Sequence, residues 1–169
     1  MGASAPAMAH PGRNAHAVNI LNPSRTFFAT TGTSMGKRLL QTERNAELLI
    51  EVLRSLVAEQ KFELHDFVVM PDHLHLLLTV HNGMTIEKAM QLVKGRFSRR
   101  LSQESGFKGE VWQRGFTEAQ VMNRENFEAH RAYIVQNPVK AELAAAVDEF
   151  PFCYGFLAKR KAEARMSRG

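Results

Sequence analysis

Residues 66–81, DFVVMPDHLHLLLTVH, constrain the fold more than any other stretch of the chain. They read as a tight β-hairpin. Phe67 to Met70 is a short apolar, β-branched run, and Pro71-Asp72 is turn chemistry, because proline presets φ and aspartate can bond the backbone beyond it. Beyond the turn the residues alternate. Leu74, Leu76, Leu78 and Val80 point to one face of the second strand, and His73, His75, Leu77, Thr79 and His81 to the other. Two residues of rise, roughly 6.5–7 Å, separate the His73 and His75 side chains, which lean the same way. A lone strand histidine is ordinarily a satisfied polar residue. A His-apolar-His pair at the mouth of a hairpin can instead converge on one metal ion, since neutral imidazole is the commonest metal ligand. Such a pair needs a third ligand and a reacting group from elsewhere in the chain.

The remaining elements are predicted around that hairpin. Residues 25–33 (RTFFATTGT) read as a first strand, and 41–60 as a helix with Ala46, Leu49, Leu53, Leu56 and Val57 at helical spacing. Strands at 63–70 and 73–81 follow, then a turn at Asn82-Gly83. A second helix is capped by Thr85 and striped by Ile86, Ala89, Met90, Val93, Phe97 and Leu101. Residues 111–122 form an irregular fourth strand interrupted at Gly115. Asn123 caps a third helix that Pro138 is expected to stop, and 139–155 read as irregular. The order β-α-β-β-α-β followed by a helix predicts an α+β fold. It is the ferredoxin-like or RRM-like plan, an antiparallel sheet with two helices on one face and an additional tyrosine-bearing helix. The leucines of the hairpin would pack under the two helices, leaving His73 and His75 on the open face.

Length and composition set limits on this plan. A chain of 169 residues suits one domain with tails, expected as a flexible arm over 1–22, a folded domain over 23–155 and a basic tail over 156–169. Residues 1–22 lack the apolar block of a signal peptide, and no apolar run is long enough to span a bilayer, so a cytoplasmic location and no membrane partner are expected. Cys153 is the only cysteine, which rules out an intrachain disulfide and a cysteine metal cluster. The tail holds five cations against one acid, +4 of the chain's formal +5, and suits an anionic partner, nucleic acid before membrane. Lys94, Arg96, Arg99 and Arg100 project around the C-terminal half of the second helix. There they suit the helix dipole and could also meet phosphates. With Arg114 and the tail's Lys159, Arg160 and Lys161 they make up the candidate DNA-binding set.

The third helix supplies the groups the histidines lack. On a wheel set to zero at Tyr133, Asn126 falls at about 20°, Asn137 at about 40° and His130 at about 60°, while Ile134 and Phe127 fall at about 100° and 120°. Tyr133 therefore belongs to a polar ridge bordering the apolar stripe. A tyrosine oxygen can act as a nucleophile through a covalent intermediate, and a divalent metal can offset phosphate charge in a transition state. Tyr154, the other tyrosine, follows Phe152-Cys153 and reads as core.

VVMPDHLHLLL, followed by VWQRGF and then YIVQNPVKAEL, resembles the single-tyrosine HUH transposases, among them the REP-associated tyrosine transposases and the related IS200-like insertion-sequence enzymes. The similarity runs from about Ser24 to Tyr154. It implies metal-dependent cleavage and transfer of single-stranded DNA that bears REP-like or element-end hairpins. It implies His73 and His75 as metal ligands and Tyr133 as the catalytic tyrosine. Asn137 would complete the metal site, with Gln136 as the fallback, and the metal would be Mg²⁺ or Mn²⁺. The tyrosine would leave a 5′-phosphotyrosine and a free 3′-OH, in a monomer or a homodimer. Three positions depart from the pattern. Asp72 stands where Asn is frequent, Glu142 where Gly is usual, and no Tyr-His precedes Thr26. A domesticated, catalytically weak single-stranded nucleic-acid binder of the same fold is the alternative. Two rivals fit less well. A histidine-triad hydrolase needs a third histidine where Leu77 stands. An RRM-type RNA binder needs a stacking platform, and the first strand offers only Phe27 or Phe28 for it.

Overall fold

The computed structural model describes residues 24–81 and 83–169, so the arm expected over 1–22 lies outside the described residues. Strand β1 (Arg25–Gly32) leads through a one-turn 3₁₀ segment (Ser34–Gly36) to helix α1 (Glu43–Ala58). Strands β2 (Glu63–Val69) and β3 (His73–Val80) form the hairpin, and α2 (Ile86–Ser105), β4 (Thr117–Val121), α3 (Arg124–Lys140) and α4 (Tyr154–Met166) follow. The sheet is antiparallel throughout, in the order β2-β3-β1-β4. The expected caps Thr85 and Asn123 form, and Thr42 caps α1 as well; each accepts from the backbone N–H three residues on.

The alternation in β3 divides the core in two. Leu74, Leu76, Leu78 and Val80 join Phe27, Ala29 and the apolar stripes of α1 and α2 in the larger cluster. Leu77, on the opposite face, packs with Val68, Met70, Phe150 and Ile134 of α3. The third helix thus lies across the face that carries His75, held by a small apolar contact in which only its Ile134 and Pro138 are buried.

A buried carboxyl group lies beside that contact. Asp66 of β2 is buried, its Oδ1 accepts from the Phe67 N–H at 2.9 Å, and Arg131 Nε of α3 stands 3.5 Å from its Oδ2. Burial outweighs both partners and raises the carboxyl from 3.8 to about 6. The folded state then holds a proton that the unfolded chain releases, so stability falls as pH rises between those two values and stays lower above them. Asp66→Asn keeps the acceptor for Phe67. It is expected to raise stability at pH 7.5 by about 1–3 kcal/mol and to leave it unchanged near pH 4. Urea unfolding at the two pH values checks this, and equal effects at both would contradict it.

Four expectations require correction. Pro138 does not stop the third helix, which runs on to Lys140. A proline so near the end removes one backbone donor while the carbonyls of Asn137 and Pro138 still accept from Ala141 and Leu143, at 3.0 and 2.8 Å. The segment expected as a tail over 156–169 is mostly helix, because α4 begins at Tyr154. It has no side-chain cap and no buried residue, which left little pattern to read. It is tied to the sheet through its lead-in, where Val69 N–H donates to Phe152 O at 2.9 Å. Tyr154 is not core but 40% exposed, its ring edge-on to Phe67 at 6.3 Å. The fourth strand is confined to Thr117–Val121, and Trp112 instead bridges Thr33 across a break at Gly115, whose φ is +71°. Glu142, where the resembled pattern has glycine, takes the left-handed conformation at φ +59° that glycine would adopt freely.

Candidate active site

The hairpin turn closes with Met70 N–H donating to His73 O at 2.9 Å, which places both histidines at the start of β3. His73 is partly exposed, and its Nδ1 lies 2.7 Å from Asp72 Oδ1. A carboxylate there holds the proton on Nδ1 and leaves the Nε2 lone pair free, the arrangement that orients metal-binding histidines. His75 is only 5% exposed. Its Nδ1 lies 2.7 Å from Thr30 Oγ1 of β1, directly across the ladder, and its Nε2 lies 3.2 Å from Asn137 Nδ2. The amide donates, so Nε2 accepts and Nδ1 carries the proton to the threonine hydroxyl. Burial, and then the charge of His73, push the His75 imidazole down to about 4, so it is neutral at pH 7 and its Nε2 lone pair carries no proton. The two imidazole rings are 4.7 Å apart, centroid to centroid.

Helix α3 brings the phenol to the same place. Ile134 buries on Leu77, which sets the preceding residue, Tyr133, at the rim. The Tyr133 ring is edge-on to His75 at 5.4 Å and to Phe28 at 5.8 Å, and it remains 45% exposed. Phe28 of β1 also stacks with His75 at 5.5 Å and with His130 at 4.6 Å. The ring considered for base stacking is therefore occupied by the protein's own side chains. Lys140 places its ammonium 5.8 Å from the centre of the Tyr133 ring.

The structure brings together His73, His75, Tyr133 and Asn137. Gln136 is exposed and is not bonded to either histidine. Among the described residues no three His, Cys, Asp or Glu side chains cluster as a metal site. The donor set that does fit a cation is two imidazoles and one carboxamide, whose oxygen replaces its nitrogen on a half-turn. The cations selected from sequence are mostly elsewhere. Lys94, Arg96 and Arg100 belong to α2, on the other side of the sheet. Lys94 bonds the carbonyls of Gln113 and Gly115, Arg96 pairs with Glu59, and Arg100 pairs with Glu51 and Glu104. Arg99 is exposed on the same helix. Lys159 pairs with Asp148, while Arg160 and Lys161 line a cleft between α1 and α4. Arg114 alone of the set lines the groove that contains His73. Sequence reading missed Thr30, the packing of Phe28 against His75 and Tyr133, and the bond from Asp72 to His73. The Asp-His adjacency was a visible signal for the last of these. The other two depend on the pairing of β1 with β3.

A family model described as "Transposase IS200 like" matches residues 31–137, well over half of the chain. The chain belongs to the IS200-like transposase family. Within that family it is 27% identical over 127 residues to the REP-associated tyrosine transposase of Escherichia coli (strain K12), covering 75% of this chain and 73% of that one. A Haemophilus influenzae relative is 29% identical over 105 residues, covering 54% of this chain and 57% of its own. A solved structure of a REP-associated tyrosine transposase bound to a REP hairpin superimposes with a TM-score of 0.65 at 26% identity, covering 76% of this chain and 75% of that one. The α+β fold of this transposase chain is thus the fold of that neighbour. Among the described residues no helix is long and apolar enough to cross a membrane.

Proposed function

We propose that this chain cuts and rejoins single-stranded DNA bearing a REP-like or element-end hairpin, through a 5′-phosphotyrosine at Tyr133. The observation that carries the reading is the meeting of α3 with β3: the Asn137 amide stands 3.2 Å from His75 Nε2 while Tyr133, one helical turn earlier, lies against the same ring. A nucleophile, two imidazoles and an amide thereby share one partly open face.

The roles follow from the side chains. His73, His75 and Asn137 would hold Mg²⁺ or Mn²⁺, with Gln136 as the only other amide at the helix end. Such an ion, when bound, polarises a phosphate and offsets charge in the transition state. Thr30 and Asp72 fix the tautomers of the two histidines. The Tyr133 oxygen attacks phosphorus, the P–O3′ bond breaks, and the departing oxygen takes a proton to become a free 3′-OH. The phenolic proton must leave as the new bond forms, because a phenol ionises near pH 10. His130, one turn before Tyr133 and stacked on Phe28, is the nearest imidazole outside the ligand pair on that helix. A 3′-OH attacking the phosphotyrosine reverses these events and joins strands. The chain would act as a monomer or a homodimer.

Incubation with 3′-end-labelled single-stranded hairpin DNA and Mn²⁺ tests the proposal. A labelled protein band that survives denaturant, forms on the single strand and disappears with a chelator is expected. No such band on any hairpin-bearing single strand would refute it.

A further inference from the structure

Val111 and Trp112 of the VWQRGF segment belong to the larger core, while Gln113, Arg114 and Gly115 have no role in the account so far, yet the turn they form is closely held. Trp112 is buried and donates its indole N–H to Lys94 O at 3.1 Å. The Lys94 ammonium turns back and donates to Gln113 O at 2.8 Å and Gly115 O at 2.7 Å. Burial lowers its pKa, as expected of a lysine withdrawn from water to bind carbonyls. The Gln113 N–H donates to Gly32 O at 2.9 Å, at the end of β1. The Gln113 carboxamide lies so close over Gly32 that a Cβ there would stand 3.1 Å from its Oε1. Gly115, at φ +71°, supplies the left-handed backbone that brings the chain round into β4.

This clamped turn forms one wall of an open groove of about 480 Å³ whose other wall includes Asp72 and His73. The turn presents to it a carboxamide, the half-buried ring of Phe116 and the guanidinium of Arg114. Arg114 forms no ion pair among the described residues, unlike Arg96 and Arg100. A carboxamide offers a donor and an acceptor side by side, which suits a base edge, and a free guanidinium suits a phosphate. The groove opens directly from His73, so a strand whose phosphate sits at the histidines enters it with its next nucleotide.

We propose that residues 113–116 form the subsite for the nucleotide adjoining the scissile phosphate, with Arg114 on its backbone phosphate, the Gln113 carboxamide on its base, and Lys94 as the positioning residue that holds the turn. The inference rests on the DNA-cutting function proposed above and assigns the specificity of that site. Two readouts on the full chain test it. In the first, fluorescein-labelled hairpin oligonucleotides with randomised single-stranded flanks are incubated with protein, and both the DNA recovered as covalent adduct and the released 3′-OH fragment are sequenced. Gln113→Ala should lose base preference at one position next to the cut and keep it elsewhere, and Lys94→Met should blur the same position. In the second, anisotropy of the same DNA with Tyr133→Phe protein measures affinity against salt without any chemistry. Adding Arg114→Gln should weaken binding about tenfold for every sequence and reduce the salt slope by about 0.7, one phosphate contact on a single strand. Unchanged preferences in Gln113→Ala, or an unchanged salt slope with Arg114→Gln, would overturn the subsite. If the unsubstituted protein forms no adduct, the cutting function fails. The salt slope then decides the subsite by itself, with a drop of about 0.7 supporting it and no change overturning it.

Discussion

Tyr133→Phe is expected to abolish the denaturant-stable DNA adduct while leaving the fold and the affinity for hairpin DNA unchanged. The substitution removes one oxygen from a ring that is 45% exposed and whose hydroxyl makes no hydrogen bond among the described residues. The expected change in stability is therefore under about 0.5 kcal/mol. The edge-on contacts of the ring with His75 and Phe28 need only its carbon framework. Chemistry, by contrast, has no substitute for that oxygen. Tyr154 lies on α4 against Phe67, on the side of β2 that faces the larger core, and Tyr154→Phe should form adduct normally. Adduct formation in the Tyr133→Phe protein at even a tenth of the unsubstituted rate would place the nucleophile elsewhere.

The second large effect concerns the cation. His75→Ala is expected to lower Mn²⁺-dependent cleavage by several kcal/mol of transition-state stabilisation, roughly a thousandfold or more. Titration calorimetry with Mn²⁺ should show no binding by the His73→Ala, His75→Ala double variant. Thr30→Val tests the support of His75 separately. It keeps the shape of the side chain but removes the hydroxyl 2.7 Å from Nδ1, and should weaken Mn²⁺ affinity about 10–100-fold with both ligands still present. Binding of Mn²⁺ by the double variant as tightly as by the unsubstituted chain would show that the histidines serve another purpose.

The parts of this site that were legible in the sequence are those that local periodicity determines. Alternation from His73 to Val80 separates Leu74, Leu76 and Leu78, which meet α1 and α2, from His75 and Leu77, which meet α3, and the structure divides the core along that line. The polar ridge of α3 is likewise a matter of 100° steps, so Tyr133 and Asn137 were visible as neighbours before their target was known. What periodicity does not contain is register. Thr30 reaches His75 because β1 pairs with β3 over 45 residues of separation, and the same pairing brings Phe28 under Tyr133. The destinations of the cations are tertiary too. Arg96 and Arg100 meet Glu59 and Glu51 only because α1 and α2 lie side by side on the sheet. Lys94 looked like a phosphate ligand because the two carbonyls it bonds lie about twenty residues away in a segment with no regular pattern. Helix α4 escaped notice for a related reason. It buries no residue, so its charges read as a tail rather than as the outer surface of a helix docked through Phe152.

Mapping the covalent bond tests the central claim most directly. The unsubstituted chain is trapped on a short single-stranded hairpin oligonucleotide with Mn²⁺, digested with protease and nuclease, and analysed by mass spectrometry. The account predicts one modified peptide, carrying the 5′ phosphate of the downstream DNA fragment on the oxygen of Tyr133, together with an upstream fragment that ends in a free 3′-OH. A nucleotide attached to any other residue, or a 3′-phosphoryl linkage, would contradict it.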